Sequence, residues 1–255
     1  MATRNNDACL VVLSGGQDST TCLFWAQQRY NEVHAITFDY GQRHAIEIDA
    51  ALIVGLMAGV ESHEVIELGG GILKGTSPLV SDAPLEQYAD HQSLPGGLEK
   101  TFVPMRNQLF LTVAANHAYC LGISNLVTGV CQEDSGGYPD CRRDFIDSLE
   151  KTSRMGTFTG EDDTLPHLYI ITPLMYLTKA QSVDMAFKNP RCWKALAFTH
   201  TSYDGKYPPT GHDHATLLRA KGFQEAGRPD PLILRAYREG LMNLPETSNY
   251  AGCIF

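Results

Sequence analysis

Short runs of apolar, largely β-branched residues recur along the chain, and a longer segment with helical periodicity follows each of them. The five runs are "CLVVL", "VHAITFDY", "HEVIEL", "NLVTGV" and "LYIITPL". Runs of this length and composition are typical of buried strands. Strands that alternate with helices indicate a parallel sheet, because each crossover helix returns the chain to the same edge. The pattern therefore predicts an α/β fold.

The clearest helical pattern follows the second run. Apolar residues recur there at steps of three and four positions, and the opposite face is polar; the apolar row is Ile48, Ala51, Leu52, Gly55 and Leu56. This spacing predicts an amphipathic helix with that row on its apolar face.

Two segments interrupt the alternation. Residues 69–101 are rich in Gly, Pro and Ser and too long for an ordinary connection, so we expect a lid or a subunit-contact loop there. After about residue 190 the alternation stops, and a turn-rich stretch leads into a final helical region. We therefore expect a main domain over residues 1–190, with the insertion at 69–101, and a C-terminal appendage of helices and loops over residues 191–255.

Composition narrows the class of ligand. Apolar residues make up 43% of the 255 positions, enough for one buried core with a small appendage. Lys and Arg number 20 against 29 Asp and Glu, and the net charge of −9 favours a small-molecule substrate over direct binding of nucleic acid. The apolar runs have only strand length and the N-terminus has no apolar signal core, so we expect a cytoplasmic protein without membrane insertion. Seven cysteines without a CxxC pair indicate reduced thiols.

The stretch "LSGGQDSTT" directly follows the first apolar run. A strand that ends in Ser14-Gly15-Gly16, before a helix that starts near Asp18, presents backbone amides at the positive end of the helix, where anions bind. The hydroxyls can donate to phosphate oxygens, and Asp18 can cap the helix or help to hold Mg²⁺. The candidates for binding ATP are Ser14, Gly15, Gly16, Gln17, Asp18, Ser19 and Thr20. The lysine of the GxxxxGK[ST] pattern is missing, which leaves room for chemistry at the α-phosphate, and a capped turn without a ligand is the alternative.

A second polar turn follows the second apolar run. In a doubly wound sheet this turn meets the nucleotide. Asp39, Tyr40 and Gln42 are therefore candidates for binding adenosine. A purely structural polar turn is the alternative, and for Arg43 and His44 both interpretations stay open.

Beyond these single features, the chain resembles a known family. "SGGQDSTT" has the SGGxDS form of the PP-loop ATP pyrophosphatases, and four further motifs resemble the QueC family of 7-cyano-7-deazaguanine synthases in the same order: "FDYGQRH", "FVPMRNQLFL", "GVCQEDSGGYPDCRRDFI" and "TPLMYLTKAQS". The likeness covers most of residues 8–223. It implies a Rossmann-like, doubly wound sheet of five parallel strands, of the PP-loop or HUP type, with the site at the carboxyl ends of the strands.

The resemblance also implies an activity. In this family a ligase activates the carboxylate of 7-carboxy-7-deazaguanine with ATP as an acyl adenylate, ammonia gives the amide, and a second activation leads to the nitrile. Because attack on ATP brings two anions together, positive side chains must screen the reacting phosphate, while Mg²⁺ shields the leaving pyrophosphate.

The residues that match the family motifs take roles by resemblance. Those implied to be catalytic are Asp18, Ser19, Lys179 and Arg142. Those implied to bind the substrate are Arg106, Asn107, Asp134, Tyr138, Asp140 and Arg142. Arginine suits two-point contact with a carboxylate or phosphate, tyrosine stacks on a base, and aspartate accepts hydrogen bonds from a guanine-like edge. An exposed lysine at Lys179, a helix start at Arg106 and a structural turn at "GGYPDCR" are the alternatives.

The chain departs from the family in its C-terminal segment, where relatives hold zinc with four cysteines. Ser202, Thr210, Asp213 and Thr216 occupy those four positions here. Since none of them is a thiolate, we expect a repacked loop without structural zinc. The nearby group His200, His212, Asp213 and His214 could supply nitrogen and oxygen ligands, but solvated histidines are the more common reading of such a loop.

Two smaller departures lie near the expected substrate. Met105 stands where the family usually has glycine, and "DSGG" replaces an aromatic-Ser-Gly run. They leave open a paralogue that stops at the amide or passes the activated deazaguanine to another amine, such as a protein terminus. A non-reacting ATP-binding scaffold is the third possibility. The family is commonly dimeric, so a homodimer is expected.

Overall fold

Five parallel strands form the centre of the structure, a computed structural model that describes residues 5–42, 46–94, 97–131, 138–157, 167–209 and 211–253. The strands are β1 (Asn5–Val12), β2 (Glu32–Asp39), β3 (Ser62–Glu67), β4 (Ile123–Val127) and β5 (Tyr169–Ile171), in the order β3-β2-β1-β4-β5. Each apolar run in the sequence overlaps one of them. The parallel α/β sheet predicted from the alternation is confirmed.

The strand order places β1 in the centre of the sheet, between β2 and β4. Leu10 of β1 pairs with His34 of β2 on one side and with Leu126 of β4 on the other. The chain therefore reverses its winding direction next to β1. In open α/β sheets, a crevice for ligands forms at such a switch point, beyond the carboxyl ends of the strands.

Helices cover both faces of the sheet. They are α1 (Gln17–Ala26), α2 (Ile46–Ala58), α3 (Arg106–Leu121), α4 (Arg143–Thr157), α5 (Lys179–Phe187), α6 (Pro190–Ala195), α7 (His214–Glu225) and α8 (Pro231–Arg238). Short 3₁₀ turns occur at His91–Ser93, Pro139–Cys141, Leu196–Phe198 and Ser248–Tyr250. None of the helices in the described segments is long and apolar enough to cross a membrane.

The alternation of side chains along β1 creates two separate cores. Cys9 and Val11 belong to a buried cluster with α1, α2, α5, α6 and α7, whereas Ala8 and Leu10 belong to a second cluster with α3 and α4. Successive residues of a strand point to opposite faces, so both faces of a doubly wound sheet are packed. The doubly wound class implied by the resemblance is confirmed.

Helix α2 forms where its periodicity predicts it, but the buried face differs from the predicted one. Leu52 is 43% exposed and Leu56 is 84% exposed, whereas Ala51, Val54 and Ala58 are buried. Small side chains allow α2 to lie close to its neighbours, and larger apolar residues do not fit at that distance. The spacing of apolar residues thus predicted the helix and the burial of Ala51 and Gly55, and it was wrong about Leu52 and Leu56.

The insertion over residues 69–101 lies against the C-terminal segment. Its described residues hold one 3₁₀ turn and are otherwise irregular. The Tyr88 amide donates to the His212 carbonyl (2.9 Å), and the His212 amide donates to Gln87 Oε1 (2.8 Å). Leu73 and Leu79 of the insertion form a small buried cluster with Tyr40. The roles expected for this segment, a lid or a subunit contact, stay predictions.

The C-terminal segment packs onto the sheet through a shared core. Phe223 of α7 and Cys192 of α6 belong to the same buried cluster as Leu23 of α1. A buried ion pair joins α7 to α8, since Arg219 donates to both carboxylate oxygens of Asp230 (2.6 and 2.9 Å). Further donors of Arg219 reach the Thr199 and Thr201 hydroxyls and the Leu196 carbonyl, so this guanidinium ties several loops together; the distances are 2.8, 2.9 and 3.3 Å.

Removal of the Arg219 guanidinium should destabilise the C-terminal segment. We expect Arg219→Leu to lower the free energy of unfolding by about 3–5 kcal/mol, because Asp230 would remain buried without its partner. Urea denaturation measures the change. Lys221→Ala, which removes an exposed pair with Glu225 on the same helix, should change stability by less than about 0.5 kcal/mol. Equal effects of the two substitutions would contradict the stabilising role assigned to the buried pair of Arg219 and Asp230.

Candidate active site

A cavity of about 340 Å³ opens at the carboxyl ends of β1, β2 and β4, at the switch point of the sheet. The glycine loop contributes Ser14, Gly16, Gln17, Asp18 and Ser19 to its lining. The second turn contributes Tyr40 and Gln42, and α3 contributes Arg106, Asn107 and Phe110. Tyr138, Cys141, Lys179 and residues of the C-terminal segment complete the wall. The sequence motifs therefore meet around one space.

The glycine loop leaves the first turn of α1 available to an anion. Gly16 is the N-cap of α1, and no side chain in the described chain caps the helix. Ser14 and Ser19 hold the loop together: the Ser14 amide donates to Ser19 Oγ (3.2 Å), and the two hydroxyl oxygens are 3.0 Å apart. Uncapped amides at a positive helix end form an anion site. Asp18 is not the cap that the sequence allowed, because it lies inside the first turn.

Asp18 instead forms an ion pair with Lys179, although 161 positions separate the two residues in the sequence. Lys179 Nζ lies 2.8 Å from Asp18 Oδ2, and the two side chains are 14% and 31% exposed. Lys179 is the first residue of α5, whose start is fixed by reciprocal hydrogen bonds between Thr178 and Gln181. Asp18 Oδ1 is buried and has no hydrogen-bond partner among the described residues. Asp18 thus uses Oδ2 for the ion pair with Lys179 and leaves Oδ1 without a partner among the described residues.

Three residues assigned to the nucleotide do not line the cavity. Gly15 has φ +81°, and a Cβ there would lie 2.2 Å from the Glu47 carbonyl oxygen, so this position serves the packing of α2 on the loop. Thr20 is fully buried. Asp39 Oδ1 accepts a hydrogen bond from the Gly41 amide (3.0 Å) and stabilises the turn. Gly15 and Asp39 support the loops around the site, and none of the three residues forms the surface of the cavity.

The second turn supplies an aromatic wall. Gln42 Oε1 accepts from the Tyr40 amide (2.9 Å), which fixes the turn. The rings of Phe38 and Phe110 stack with centroids 4.5 Å apart, and Tyr40 packs on Phe110 at 5.2 Å. Aromatic faces of this kind suit a planar base. The candidates Arg43 and His44 lie outside the described residues.

The motif assigned to the substrate is partly assembled at the cavity. Arg106, Asn107 and Tyr138 line it, and Asp140 lies directly behind, where its Oδ2 accepts from the Asn107 amide (3.2 Å). Burial raises the pKa of Asp140 above its usual range. Its Oδ1 is buried and has no partner in the part of the chain that the structure describes. Asp134 lies outside the described residues.

Arg142 does not reach the cavity. The 3₁₀ turn Pro139–Cys141 directs Cys141 inward, and Arg142, the next residue, is exposed. Arg106, at the start of α3, is the arginine of the two that lines the cavity. The contact with substrate expected of Arg142 is therefore not formed in this structure, because a 3₁₀ turn directs successive side chains about 120° apart.

Four further lining residues were not assigned to this site by the sequence reasoning, which considered His200 and His214 only as metal ligands: Glu47, His200, Tyr203 and His214. Burial raises the pKa of Glu47 to about 7, and burial lowers the pKa of His200. The His200 amide donates to the Gly15 carbonyl (2.9 Å), which attaches the C-terminal segment to the glycine loop. Glu47 could have been found, because the helix that follows β2 begins beside the switch point.

The positions that hold zinc in the resembled family carry a hydrogen-bonded cluster here. Asp213 is 1% exposed, and its Oδ2 accepts from the hydroxyls of Ser202 and Thr216, both at 2.8 Å. Its Oδ1 accepts from the Thr216 amide (3.1 Å), which caps α7. Thr210 lies outside the described residues. Hydroxyls are not zinc ligands of the usual kind, so this donor set does not fit zinc.

The histidines near this cluster do not converge on one point. His200 Nε2 lies 2.7 Å from the Ser202 carbonyl, and His214 Nε2 lies 3.8 Å from Glu99. Within the described ranges, no group of three or more His, Cys, Asp or Glu residues is arranged to hold a metal ion.

The switch-point cavity and the uncapped glycine loop define a doubly wound α/β protein of the PP-loop type. Comparison with known proteins identifies the family: residues 8–227 match the model for "Queuosine biosynthesis protein QueC". The chain belongs to the QueC family.

Relatives and solved structures are similar to this chain to different degrees. A 7-cyano-7-deazaguanine synthase of Gloeobacter violaceus is 51% identical over 88% of this chain and 94% of its own length. The enzyme of the same name from Chromobacterium violaceum is 46% identical over 94% of this chain and 98% of its own length. Among solved structures, a predicted subunit of tRNA methyltransferase from Methanocaldococcus jannaschii is 18% identical, with a TM-score of 0.46 over 82% of this chain and 95% of that one.

A side chain at Gly222 should displace Lys179. A Cβ at Gly222 of α7 would lie 2.2 Å from Lys179 Cγ, so we expect Gly222→Ala to lower enzymatic turnover by about 10–100-fold, as small misplacements of a charged group do. Gly156→Ala in α4, where nothing lies within 4 Å, is the matched control and should retain full turnover. Steady-state rates of product formation measure both. Full turnover in Gly222→Ala would show that the position of Lys179 is not critical.

The Asp213 cluster should stabilise the fold without a metal. We expect a chelator to leave the melting temperature unchanged and the purified protein to contain no stoichiometric zinc by elemental analysis. Asp213→Ala should lower the free energy of unfolding by about 2 kcal/mol, because two buried hydroxyls and a helix cap lose their acceptor. One zinc per chain, or a large drop in melting temperature with chelator, would refute this interpretation.

Proposed function

We propose that this protein uses ATP to convert 7-carboxy-7-deazaguanine and ammonia into 7-cyano-7-deazaguanine, through an acyl adenylate and an amide. One observation carries the proposal: the Asp18–Lys179 pair and the uncapped start of α1 line the same cavity as Arg106 and Tyr138. A phosphate site and a carboxylate site are therefore within one small space. The name of the curated relatives supports the choice of substrate and product.

ATP binds with its phosphates at the glycine loop. The amides of the first turn of α1 and the hydroxyls of Ser14 and Ser19 are the donors. Lys179 holds positive charge next to this turn. That charge screens the α-phosphate from the incoming carboxylate, whose approach would otherwise bring two anions together.

Mg²⁺ fits the same loop. Asp18 Oδ1 is a buried carboxylate oxygen without a partner in the described chain, and carboxylate oxygen is a ligand that Mg²⁺ prefers. When bound, the ion neutralises charge on the leaving pyrophosphate. Asp18 and Lys179 together set the charge around the reacting phosphate.

The deazaguanine carboxylate binds towards Arg106. A guanidinium offers two parallel donors that match a carboxylate. Tyr138 lies beside this position with its hydroxyl 2.5 Å from the Thr101 hydroxyl, so its ring is held for stacking on the base. Asp140 does not line the cavity, and its Oδ2 accepts from the Asn107 amide, so Asp140 positions Asn107 at this wall.

Met105 does not reshape the cavity in the way its departure from the family suggested. Its side chain is 63% exposed and does not line the cavity. Its φ of 64° is the left-handed conformation that glycine adopts without strain. The structure therefore gives no support at this position for a changed acceptor.

Product analysis tests the proposal. Incubation with ATP, Mg²⁺, ammonium and 7-carboxy-7-deazaguanine should give AMP, pyrophosphate and the nitrile, detected by mass spectrometry. An amide or a protein conjugate as the end product would instead favour the diverged ligase. Nucleotide binding without turnover would favour the non-reacting scaffold, and ADP with orthophosphate as the direct products would contradict adenylation.

The ion pair should be essential for adenylation. We expect Asp18→Asn and Lys179→Met each to lower the rate of pyrophosphate release by about 10²-fold or more, because each removes charge at the developing transition state. Lys221→Met, on exposed α7 surface, is the control and should behave as wild type. Circular dichroism checks that the variants fold. Wild-type rates in either active-site variant would remove that residue from the mechanism.

A further inference from the structure

The cavity contains a second carboxylate whose role the steps above leave open. Among the described residues that line it, the carboxylates are Asp18 and Glu47. Asp18 is already paired with Lys179. Glu47 is thus the negatively charged lining group that remains to receive a proton or attract a cation.

Backbone packing holds Glu47 next to the glycine loop. Its carbonyl oxygen lies 2.2 Å from the place of an absent Cβ at Gly15, so the first turn of α2 is in close contact with the glycine loop. Gly15 directly precedes Gly16, the N-cap of the helix that we assign to the phosphates. Glu47 also lines the cavity into which the glycine loop opens, so it shares one space with the assigned phosphate site.

Four ionisable groups influence Glu47 from neighbouring elements. Arg106 on α3 stabilises the charged form of Glu47, and Asp213 at the start of α7 destabilises that form. Tyr40 and Tyr203 lie within electrostatic range on the other sides. Burial is the largest effect, and it raises the pKa of Glu47 to about 7. Near neutral pH this carboxyl is thus able both to accept and to release a proton.

Formation of the amide from the acyl adenylate and ammonium uses a group that can accept a proton. At neutral pH the nitrogen donor is mostly ammonium, which has no lone pair for attack. A carboxylate attracts this cation and can take one of its protons. Buried His200 is a weaker candidate, because it is uncharged in its basic form and its Nε2 is held by the Ser202 carbonyl.

We propose that Glu47 binds the incoming ammonium and deprotonates it. This inference rests on the proposed function. One N–H bond breaks and its proton moves to the Glu47 carboxylate; the freed lone pair forms the C–N bond at the acyl carbon. The C–O bond to the adenylate breaks, and AMP leaves with that electron pair. A second proton leaves the nitrogen for solvent, so the acyl adenylate and ammonium give the amide, AMP and two protons.

Hydroxylamine separates this step from adenylation, because it is largely unprotonated at neutral pH and attacks acyl adenylates without a base. We expect Glu47→Gln to form the hydroxamate at close to the wild-type rate while amide formation from ammonium falls by about 10²-fold, the usual contribution of a general base. The wild-type rate with ammonium should level off above pH 7, whereas the variant's rate should keep rising with free ammonia. Asp49→Asn, exposed on the same helix turn, is the control and should match wild type.

The alternatives give different results. Equal losses with hydroxylamine and ammonium would make Glu47 a residue that positions Arg106 or the loop, and no loss with ammonium would exclude it from the step; both overturn the inference. Failure of the wild-type protein to form any hydroxamate would overturn the proposed adenylation itself, and the inference with it.

A stability measurement verifies that the variant folds. A raised folded-state pKa means that the charged form of Glu47 destabilises the protein increasingly as pH rises from about 5 to 7. Glu47→Gln should therefore melt at a higher temperature than wild type at pH 8, with a smaller gain at pH 5. A variant that melts lower at both pH values would indicate that Glu47 supports the structure, against the proposed role.

Discussion

The close contact between the glycine loop and α2 is the constraint on which the site depends. At Gly15 the backbone turns with positive φ, and the space for a side chain is occupied by the carbonyl of Glu47 and the amide of Ala51. This contact sets the direction in which α1 leaves the sheet. It also brings the start of α2 to the edge of the cavity, so that the loop and Glu47 share one surface.

A second set of contacts encloses this surface from the C-terminal side. His200 bonds to the Gly15 carbonyl, and α7 packs so closely on α5 that only glycine fits at position 222 opposite Lys179. The Asp213 cluster holds the start of α7. It occupies the positions at which the family resemblance implies zinc-binding cysteines. A buried carboxylate with two hydroxyl donors can fix a loop as a metal does, since in both cases the polar groups are fully satisfied.

The sequence motifs were informative where the backbone itself performs the function. The SGGQDS loop lies at the end of β1, as its local pattern indicated. The sequence did not show in which direction individual side chains point. Arg142 and Arg106 both matched family motifs, yet the turn before Arg142 points it to solvent while α3 aims Arg106 at the cavity. Likewise, apolar spacing predicted α2, but the small residues Ala51, Val54 and Ala58 form its packed face.

The sequence by itself determined the alternation of strands and helices, the parallel sheet and the glycine loop at the end of β1, because these depend on local periodicity and on glycine at a few positions. Tertiary structure alone decided that Asp18 meets Lys179, that Glu47 faces the cavity, and that Ser202, Asp213 and Thr216 form one cluster. These contacts join residues far apart in the chain. Their geometry follows from how whole elements pack, and burial, which sets their charge states, exists only in the folded protein.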